Sequence, residues 1–332
     1  PGEAPVKGAN ATWAARQAAK YFQASRIPYE RVTVSCFDAD TIVSPDYFAC
    51  LTYYFLITPD RLRSSFQPIP VFHNNIWQVP GFARVMETGA SFFQLIESSN
   101  PDQLVTFSSH SMSFKALVEV GYWPVDIISD DSAIFWKSFI HYNGNFSVVP
   151  MYTTVSMDIT VSDSIWGTIR SVYKQKRRWA WGVENFPIVM RAFLRSREIP
   201  IWDRLRHGFK LLEGHIAWAT WGFLLTVLSW LPTFLAKQEL TRSVVYYNAP
   251  YISGIIFNLA SISLLISIIL SLVMLPKAKV RYPFLKKSLF AVQWLFIPVI
   301  LVFLSALSAL DAQTWMLLGR RLDFWVANKR KT

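Results

Sequence analysis

The hydrophobic pattern of the chain changes near residue 213. Before it, apolar and polar positions alternate over short distances, whereas three later stretches contain no Lys, Arg, Asp or Glu: Gly214 to Ala236, Ser243 to Pro276 and Ser288 to Leu310. A helix needs about 20 residues to cross the apolar core of a bilayer, and helices of globular proteins average only about 10–14 residues. The sequence therefore predicts about three membrane spans, at 214–236, 250–275 and 288–310.

The flanks of these stretches are also typical of membrane proteins. Aromatic residues lie towards their ends, as interfacial Trp and Tyr do: Trp218, Trp221, Trp230, Tyr246, Tyr247, Tyr251 and Trp294. The basic loop 277–287 is expected in the cytoplasm, and the nearly neutral loop 237–242 outside. Three spans would place the basic tail outside as well, against the positive-inside tendency, unless the run around Pro298 is re-entrant.

The first two hundred residues predict an α/β domain. Arg31–Phe37 alternates apolar and polar positions, as a strand does, and runs into Asp38-Ala39-Asp40. Ser44-Pro45-Asp46 supplies an N-cap, a proline for the first turn and an acidic residue, so a helix is expected at Tyr47–Leu56. A strand, an acidic turn and a helix in succession are typical of α/β folds.

Further helices are expected at Asn10–Phe22, Gly81–Ser98 and Asp130–His141, the last one capped by Ser129. The segment Thr58–Pro80 is rich in Pro and Asn, which predicts a loop crossing the surface. The segment 187–213 combines apolar side chains with many arginines. That composition suits a helix lying in the membrane interface.

Composition narrows the class of protein. Hydrophobic residues make up 52% of the chain and charged residues only 17%, against about 25% charged residues in soluble domains. The formal net charge is +11, and most of the excess follows residue 212, which points to membrane flanks and not to a nucleic-acid interface. The two cysteines, Cys36 and Cys50, predict buried thiols in a reducing compartment.

The first candidate for chemistry is the pair Asp38 and Asp40. Side chains two residues apart on a strand point the same way, and two convergent carboxylates suit Mg²⁺ or Mn²⁺ that also holds phosphates. The alternative is turn chemistry, because Asp is common where strands end.

The second candidate is the pair Asp130 and Asp131 at a helix start. Capping and compensation of the helix dipole are the structural explanation. The functional explanation is a general base, a carboxylate that takes a proton from an attacking hydroxyl group.

The third candidate is the segment Gln175-Lys176-Arg177-Arg178-Trp179. In a helix, Gln175, Arg178 and Trp179 share one face. A cation, an amide and a flat aromatic ring together suit a diphosphate and a sugar ring. A basic cluster at the membrane surface is the alternative.

The order and spacing of these motifs resemble the catalytic half of a membrane-bound family 2 glycosyltransferase with the GT-A fold, similar to the processive synthases of cellulose and hyaluronan. Four segments carry the resemblance: Lys7-Gly8-Ala9-Asn10, Asp38-Ala39-Asp40, Ser129-Asp130-Asp131 and Gln175-Lys176-Arg177-Arg178-Trp179. Asp130 departs from the family's usual Glu. The family's first nucleotide-binding strands are also missing and would precede Pro1, so the chain is expected to be an N-terminally truncated fragment.

The resemblance implies a fold and a division of the chain. Residues 1–186 would be the C-terminal part of an α/β, GT-A-like catalytic domain, incomplete at its N-terminus. The amphipathic interfacial region would be 187–213, the transmembrane region 214–310, and the basic tail 311–332. The protein would be an integral protein of the plasma or inner membrane with its catalytic domain in the cytoplasm.

The resemblance also implies residue roles. Asp38 and Asp40 would hold Mg²⁺ or Mn²⁺ at the donor diphosphate, and Asp131 would be the catalytic base. The remaining donor-binding residues would be Lys7, Asn10, Gln175 and Arg178. The acceptor-binding residues would be Trp179, Asp130, Ser109 and His110, with a structural role open for His110.

The implied activity is metal-dependent, inverting transfer of a sugar from a nucleotide sugar, such as a UDP-sugar, to a glycan acceptor. A non-processive transferase acting on a lipid-linked acceptor is the alternative, because three spans are few for a polymer channel. A transport component would place ionisable groups inside the spans, and the three stretches hold almost none beyond His215. Nucleic acid is not an expected partner.

Overall fold

The computed structural model describes residues 6–224, 226, 244–276, 289–290 and 292–325, and within them an α/β fold. The helices are α1 (Lys7–Ala24), α2 (Tyr47–Ile57), α3 (Gly81–Ser98), α4 (Phe114–Glu119), α5 (Asp130–His141), α6 (Ile165–Ala180), α7 (Asn185–Arg195), α8 (Ile201–Phe223), α9 (Val244–Met274) and α10 (Gln293–Leu317). The strands are β1 (Thr33–Cys36), β2 (Ile42–Val43), β3 (Ser64–Val71), β4 (His110–Ser113) and β5 (Ser147–Ser156).

The strands form one mixed sheet in the order β1-β4-β3-β5-β2. β3 and β5 are parallel, and the other neighbours are antiparallel. Cys36 at the end of β1 pairs with His110 at the start of β4. This register brings the acidic turn after β1 beside the loop that enters β4, and so creates one polar end of the sheet.

The expected surface loop Thr58–Pro80 is wrong, because it contains β3. All eight residues of β3 are buried, and the strand lies in the middle of the sheet. Pro68 and Pro70 suggested a loop because proline cannot donate to a strand ladder. The sheet accommodates them because β4 pairs only with Ser65 and Phe66, and the register towards β5 shifts between Pro68 and Ile69.

Most of the other predicted elements are present. α3 and α5 have the expected bounds. α1 begins three residues earlier and ends two residues later than predicted, and α2 ends one residue later. The N-cap of α2 is Asp46, and its side chain makes no capping hydrogen bond. The region 187–213 is not one helix, since α7 ends at Arg195 and Pro200 caps α8.

Two apolar clusters cover the sheet. One joins it to α1, α4, α5 and α7 through residues such as Met112, Leu117 and Phe135, and the other packs α2 onto β3 and β5. Val148 and Val149 are adjacent in β5 and contribute to different clusters, as expected when successive side chains of a strand point to opposite faces. Each fully buried Leu or Phe contributes roughly 1.5–3 kcal/mol.

Within the described residues, one helix is long and apolar enough to cross a membrane, namely α10. It runs seven residues beyond the predicted span 288–310 and therefore includes Asp311, which ion-pairs with Arg177 of α6 at 3.0 Å. The predicted span 250–275 lies within α9 except for its last residue, and whether it crosses a membrane stays a prediction. Most of the second half of the span 214–236 lies outside the described residues, as do the loops 237–242 and 277–287 and the tail from 326.

The C-terminal helices are packed against the α/β domain. A third apolar cluster joins Phe72 and Ile76 to Trp294, Ile300 and Leu304 of α10. The two thiols are free, Cys36 buried and Cys50 half-buried. The expectation of a buried thiol is therefore confirmed for Cys36 and wrong for Cys50.

Candidate active site

Three charged side chains from separate parts of the chain meet at the polar end of the sheet. Lys7 lies in the first turn of α1, Asp38 follows β1, and Asp131 lies in the first turn of α5. Lys7 Nζ is 2.8 Å from Asp38 Oδ1 and 2.8 Å from Asp131 Oδ1. The three side chains keep 21%, 29% and 23% of their surface exposed. We call Lys7, Asp38 and Asp131 the charged cluster.

The approach of α1 to α5 depends on Gly8. A Cβ atom at this position would lie 2.2 Å from the carbonyl oxygen of Pro124 and 3.1 Å from Asp130 Cβ. The closer contact is with a backbone atom, so no side-chain rotation could relieve it. Glycine therefore allows the first turn of α1 to bring Lys7 against Asp131. Asn10, the other residue predicted on this segment, is exposed on α1.

Charge in the cluster is unbalanced, because one ammonium group faces two carboxylates. Burial opposes the charged form of Lys7, but the neighbouring Asp131 and Asp38 outweigh it and raise the pKa of Lys7 above its ordinary value. Lys7 therefore stays protonated at physiological pH. Burial also raises the pKa of the nearby Cys36 thiol to about 12, so Cys36 is a neutral thiol and a poor nucleophile.

The loop that enters β4 makes hydrogen bonds to both Asp38 and Asp131. Ser108 Oγ donates a hydrogen bond to Asp38 Oδ2 at 2.6 Å, and Thr106 Oγ1 donates to the backbone oxygen of Asp131 at 2.7 Å. Ser109 between them is fully buried and has a φ of 66°. A left-handed conformation of this kind costs of the order of 1 kcal/mol or more and is common at functional sites.

His110 supports the cluster from inside the fold. Its ring is fully buried, and its Nδ1 lies 3.8 Å from Asp131 Oδ1. The indole N–H of Trp123 donates to His110 Nε2 at 3.5 Å, so the proton of the neutral ring lies on Nδ1, which is 3.2 Å from the Phe107 carbonyl oxygen. Burial lowers the pKa of His110 and keeps the ring neutral. His110 and Ser109 therefore lie inside the fold beneath the charged cluster and not at its exposed surface.

Asp40 is anchored differently from Asp38. Its Oδ2 accepts a hydrogen bond from the backbone N–H of Asp158 at 2.9 Å, and its backbone oxygen accepts one from Asn74 Nδ2 at 3.0 Å. These contacts tie the turn after β1 to the segments that follow β3 and β5. Asp38, by contrast, contacts Lys7 and Ser108, although the two carboxylates belong to the same turn.

Asp130 and Asp131 are adjacent in sequence but lie in opposite environments. Asp130 is 3% exposed, and in the part of the chain that the structure describes its Oδ2 has no hydrogen-bond partner. Burial and then the charge of Asp131 raise the pKa of Asp130 to about 8, so its carboxyl group is protonated at neutral pH. Asp131 contacts the Lys7 ammonium group instead. Neighbouring carboxyl groups in contrasting environments are a recurrent feature of acid–base sites.

The three predicted residues of α6 lie apart from the charged cluster. Gln175 is buried, and among the described residues its Oε1 has no hydrogen-bond partner. Arg178 lies 5.2 Å from the ring centroid of Phe324, and the Nζ of Lys176 lies 3.7 Å above the ring of Trp179. Within the described residues, none of the three predicted side chains makes a hydrogen bond or ion pair with the charged cluster. Their roles in binding substrates stay predictions.

Sequence reasoning missed two residues that organise the site. Ser108 binds Asp38, whereas the predicted site residues of this loop were its neighbours Ser109 and His110. Glu184 joins the end of α6 to Ser129 at the start of α5. These two residues are 55 positions apart, and no periodicity marks a hydrogen bond over that distance.

The carboxylates of Asp38 and Asp40 are chemically suited to a hard divalent cation. Within the described residues, no group of three or more His, Cys, Asp or Glu side chains is arranged to hold a metal ion. Mg²⁺, however, is usually bound by one or two carboxylates together with substrate phosphates. A carboxylate offers about four lone-pair positions, so the contacts with Lys7, Ser108 and Asp158 do not rule out ligation.

Comparison with known proteins adds no family assignment. No family model matches the chain, and no curated protein matches it significantly. The glycosyltransferase hypothesis therefore rests on the four motifs and on the arrangement of their residues.

Proposed function

We propose that the protein is a membrane-embedded, metal-dependent, inverting glycosyltransferase that uses a nucleotide-sugar donor. The observation that carries the proposal is the contact of one ammonium group, that of Lys7, with both Asp38 and Asp131. The first carboxylate belongs to the turn assigned to the donor diphosphate, and the second is the candidate base. A transferase needs these two functions close together, because the leaving group and the nucleophile react at the same carbon atom.

The proposed reaction is a single displacement. Asp131 takes the proton of an acceptor hydroxyl group, whose oxygen forms a bond to the anomeric carbon. The bond from that carbon to the diphosphate oxygen breaks, and the nucleoside diphosphate leaves from the opposite side, so the configuration inverts. Asp131 is suited to this role because it is partly exposed and contacts a cation, whereas the buried Asp130 is protonated at neutral pH.

Lys7 has two roles in this proposal. Its ammonium group binds the donor diphosphate, and its contact with Asp131 fixes the position of the base. Asp38 and Asp40 would hold Mg²⁺ or Mn²⁺. A divalent cation bound there supplies positive charge that stabilises the leaving diphosphate. Gln175 and Arg178 are assigned to the diphosphate by resemblance alone.

A transport component remains the competing class, and Asp311 bears on it. Ionisable residues inside membrane spans often mark transport pathways, and α10 contains Asp311. Its carboxylate, however, lies 3.0 Å from Arg177 Nε and 3.2 Å from the Tyr173 hydroxyl group, both on α6. These contacts favour a role for Asp311 in anchoring α10 to the α/β domain.

The proposal is tested by turnover in membranes that contain the protein. Nucleotide sugars are offered in turn with Mg²⁺, Mn²⁺ or a chelator, and release of nucleoside diphosphate is measured with glycan or lipid-linked acceptors. We expect release from one class of donor, dependent on the cation and the acceptor, and absent from matched membranes carrying Asp131→Asn. No acceptor-dependent release from any donor would contradict the proposal.

A further inference from the structure

A half-buried carboxylate, that of Glu184, links the start of α5 to the end of α6. It closes the short 3₁₀ turn Trp181–Glu184 that follows α6. Its Oε1 accepts hydrogen bonds from Ser129 Oγ at 2.8 Å, Ser129 N–H at 2.9 Å and Ile128 N–H at 3.0 Å. Its Oε2 accepts a hydrogen bond from the indole N–H of Trp181 at 3.0 Å. Both oxygens of the carboxylate therefore bind the protein.

This arrangement takes the place of an ordinary helix cap. Ser129 is the N-cap residue of α5, but its side chain makes no capping hydrogen bond. Its hydroxyl group donates to Glu184 and accepts a hydrogen bond from Asn185 Nδ2 at 3.0 Å. Asn185 Nδ2 also donates to Ser132 Oγ at 3.0 Å. Because N-cap residues normally bind the helix with their own side chains, the position of α5 here depends on the segment after α6.

We propose that Glu184 is a positioning residue for Asp131. It fixes the turn two residues before the base, and through the end of α6 it sets the distance between that base and Gln175 and Arg178. The inference rests on the proposed function. Displacement of a reacting group by about 1 Å can reduce a rate by about 10²-fold, so loss of this anchor would slow transfer without removing any group that touches the substrates.

Glu184→Gln isolates the carboxylate with little change in size. A glutamine side chain has one acceptor oxygen and an amide that only donates. With the oxygen towards Ser129, the amide would face the indole N–H of Trp181. In the other orientation it would face the backbone N–H groups of Ile128 and Ser129. In either orientation two hydrogen-bond donors face each other, so the turn must shift or lose hydrogen bonds.

The test compares transfer rates and donor affinities of the protein in membranes. Glu184→Gln is expected to lower the transfer rate by about 10- to 100-fold and to leave the dissociation constant of the donor within about twofold. The double variant with Asp131→Asn should be no slower than Asp131→Asn alone, because residues that act through one group are not additive. Glu30→Gln is the matched control, since Glu30 is an exposed glutamate paired with Lys115, and should keep the full rate.

Three outcomes decide the matter. An unchanged rate per folded molecule in Glu184→Gln, or multiplied losses in the double variant, would overturn the positioning role and leave the proposed function intact. A wild-type protein that turns over no nucleotide sugar would overturn both. If Glu184→Gln does not fold, Trp181→Phe carries the test. It removes the donor to Oε2 together with part of a buried ring, so the rate is again taken per folded molecule. We expect a loss of a few fold, whereas a full rate would again overturn the positioning role.

Discussion

Two lysines of this protein are held by carboxylates in contrasting ways. Lys176 of α6 pairs with Glu87 of α3 at 2.8 Å, and the two side chains are only 4% and 1% exposed. Lys7 lies at the same distance from two carboxylates, those of Asp38 and Asp131, and all three keep about a fifth or more of their surface exposed. The first site is closed and balanced in charge, and the second is open and carries an excess of negative charge.

This difference in exposure distinguishes an ion pair that stabilises the fold from one that can take part in a reaction. The side chains of Lys176 and Glu87 are almost fully buried, so this pair belongs to the core, and burial lowers the pKa of Lys176 although Glu87 opposes the shift. The charged cluster can exchange its partners with a ligand, because water already reaches it and two carboxylates share one cation. In this protein, an ion pair therefore indicates function only where water reaches it and its positive and negative groups are unequal in number.

The largest effect on stability is expected at the closed pair. Glu87→Gln removes one charge and leaves the Lys176 ammonium buried without its counterion, which typically costs about 3–5 kcal/mol. Denaturant unfolding in detergent micelles measures the change, and the rate per folded molecule should be unaffected. A loss below about 1 kcal/mol would show that the pair is not the closed structural element described above.

A smaller loss of stability is expected at the open cluster. Lys7→Met should lower the free energy of unfolding by about 1 kcal/mol or less, since partly exposed pairs contribute little. The same variant should weaken donor binding by at least about tenfold, measured as the dissociation constant of the nucleotide sugar, because a cation at the diphosphate is lost. The matched variant is Lys176→Met, and equal unfolding losses for the two lysines would contradict the comparison.

A third prediction concerns the pH dependence of stability at Asp130, which lies on the buried side of the cluster. Its pKa is raised from 3.8 to about 8 by burial. Between these values the folded state holds a proton that the unfolded state has released, so this group's contribution to stability falls as pH rises from about 4 to about 8. Asp130→Asn should flatten that part of the profile of unfolding free energy against pH, and an unchanged slope would refute the assignment.

The fold was predictable where local signals and packing agree. α3 and α5 have the predicted bounds because their apolar spacing and flanking residues indicate a helix independently of the rest of the chain. β3 was missed because Pro68 and Pro70 are poor strand residues, and only the register with β4 and β5 shows how the sheet tolerates them. The end of α10 was missed because Asp311 interrupts the apolar run, and its partner Arg177 is distant in sequence.

The candidate site was predictable as a set of residue types but not as a set of contacts. The motif resemblance named Lys7, Asp38 and Asp131, and the structure brings them together. It could not show that Asp130 is buried and Asp131 accessible, because neighbouring positions at a helix start differ only through the elements packed on them. Glu184 has no local signal, since its role follows from the meeting of two helices.

The most direct test of the account compares Asp131→Asn with Asp130→Asn. If Asp131 is the base, its amide cannot accept the proton of the acceptor, and the transfer rate should fall by about 10²–10⁴-fold while nucleotide-sugar and metal binding persist. Asp130→Asn should have a much weaker effect, because that carboxyl group is already protonated at neutral pH. Transfer rates and donor dissociation constants of both variants in membranes give the answer. Comparable and mild losses at the two positions would contradict the account and indicate that both residues serve only to cap the helix.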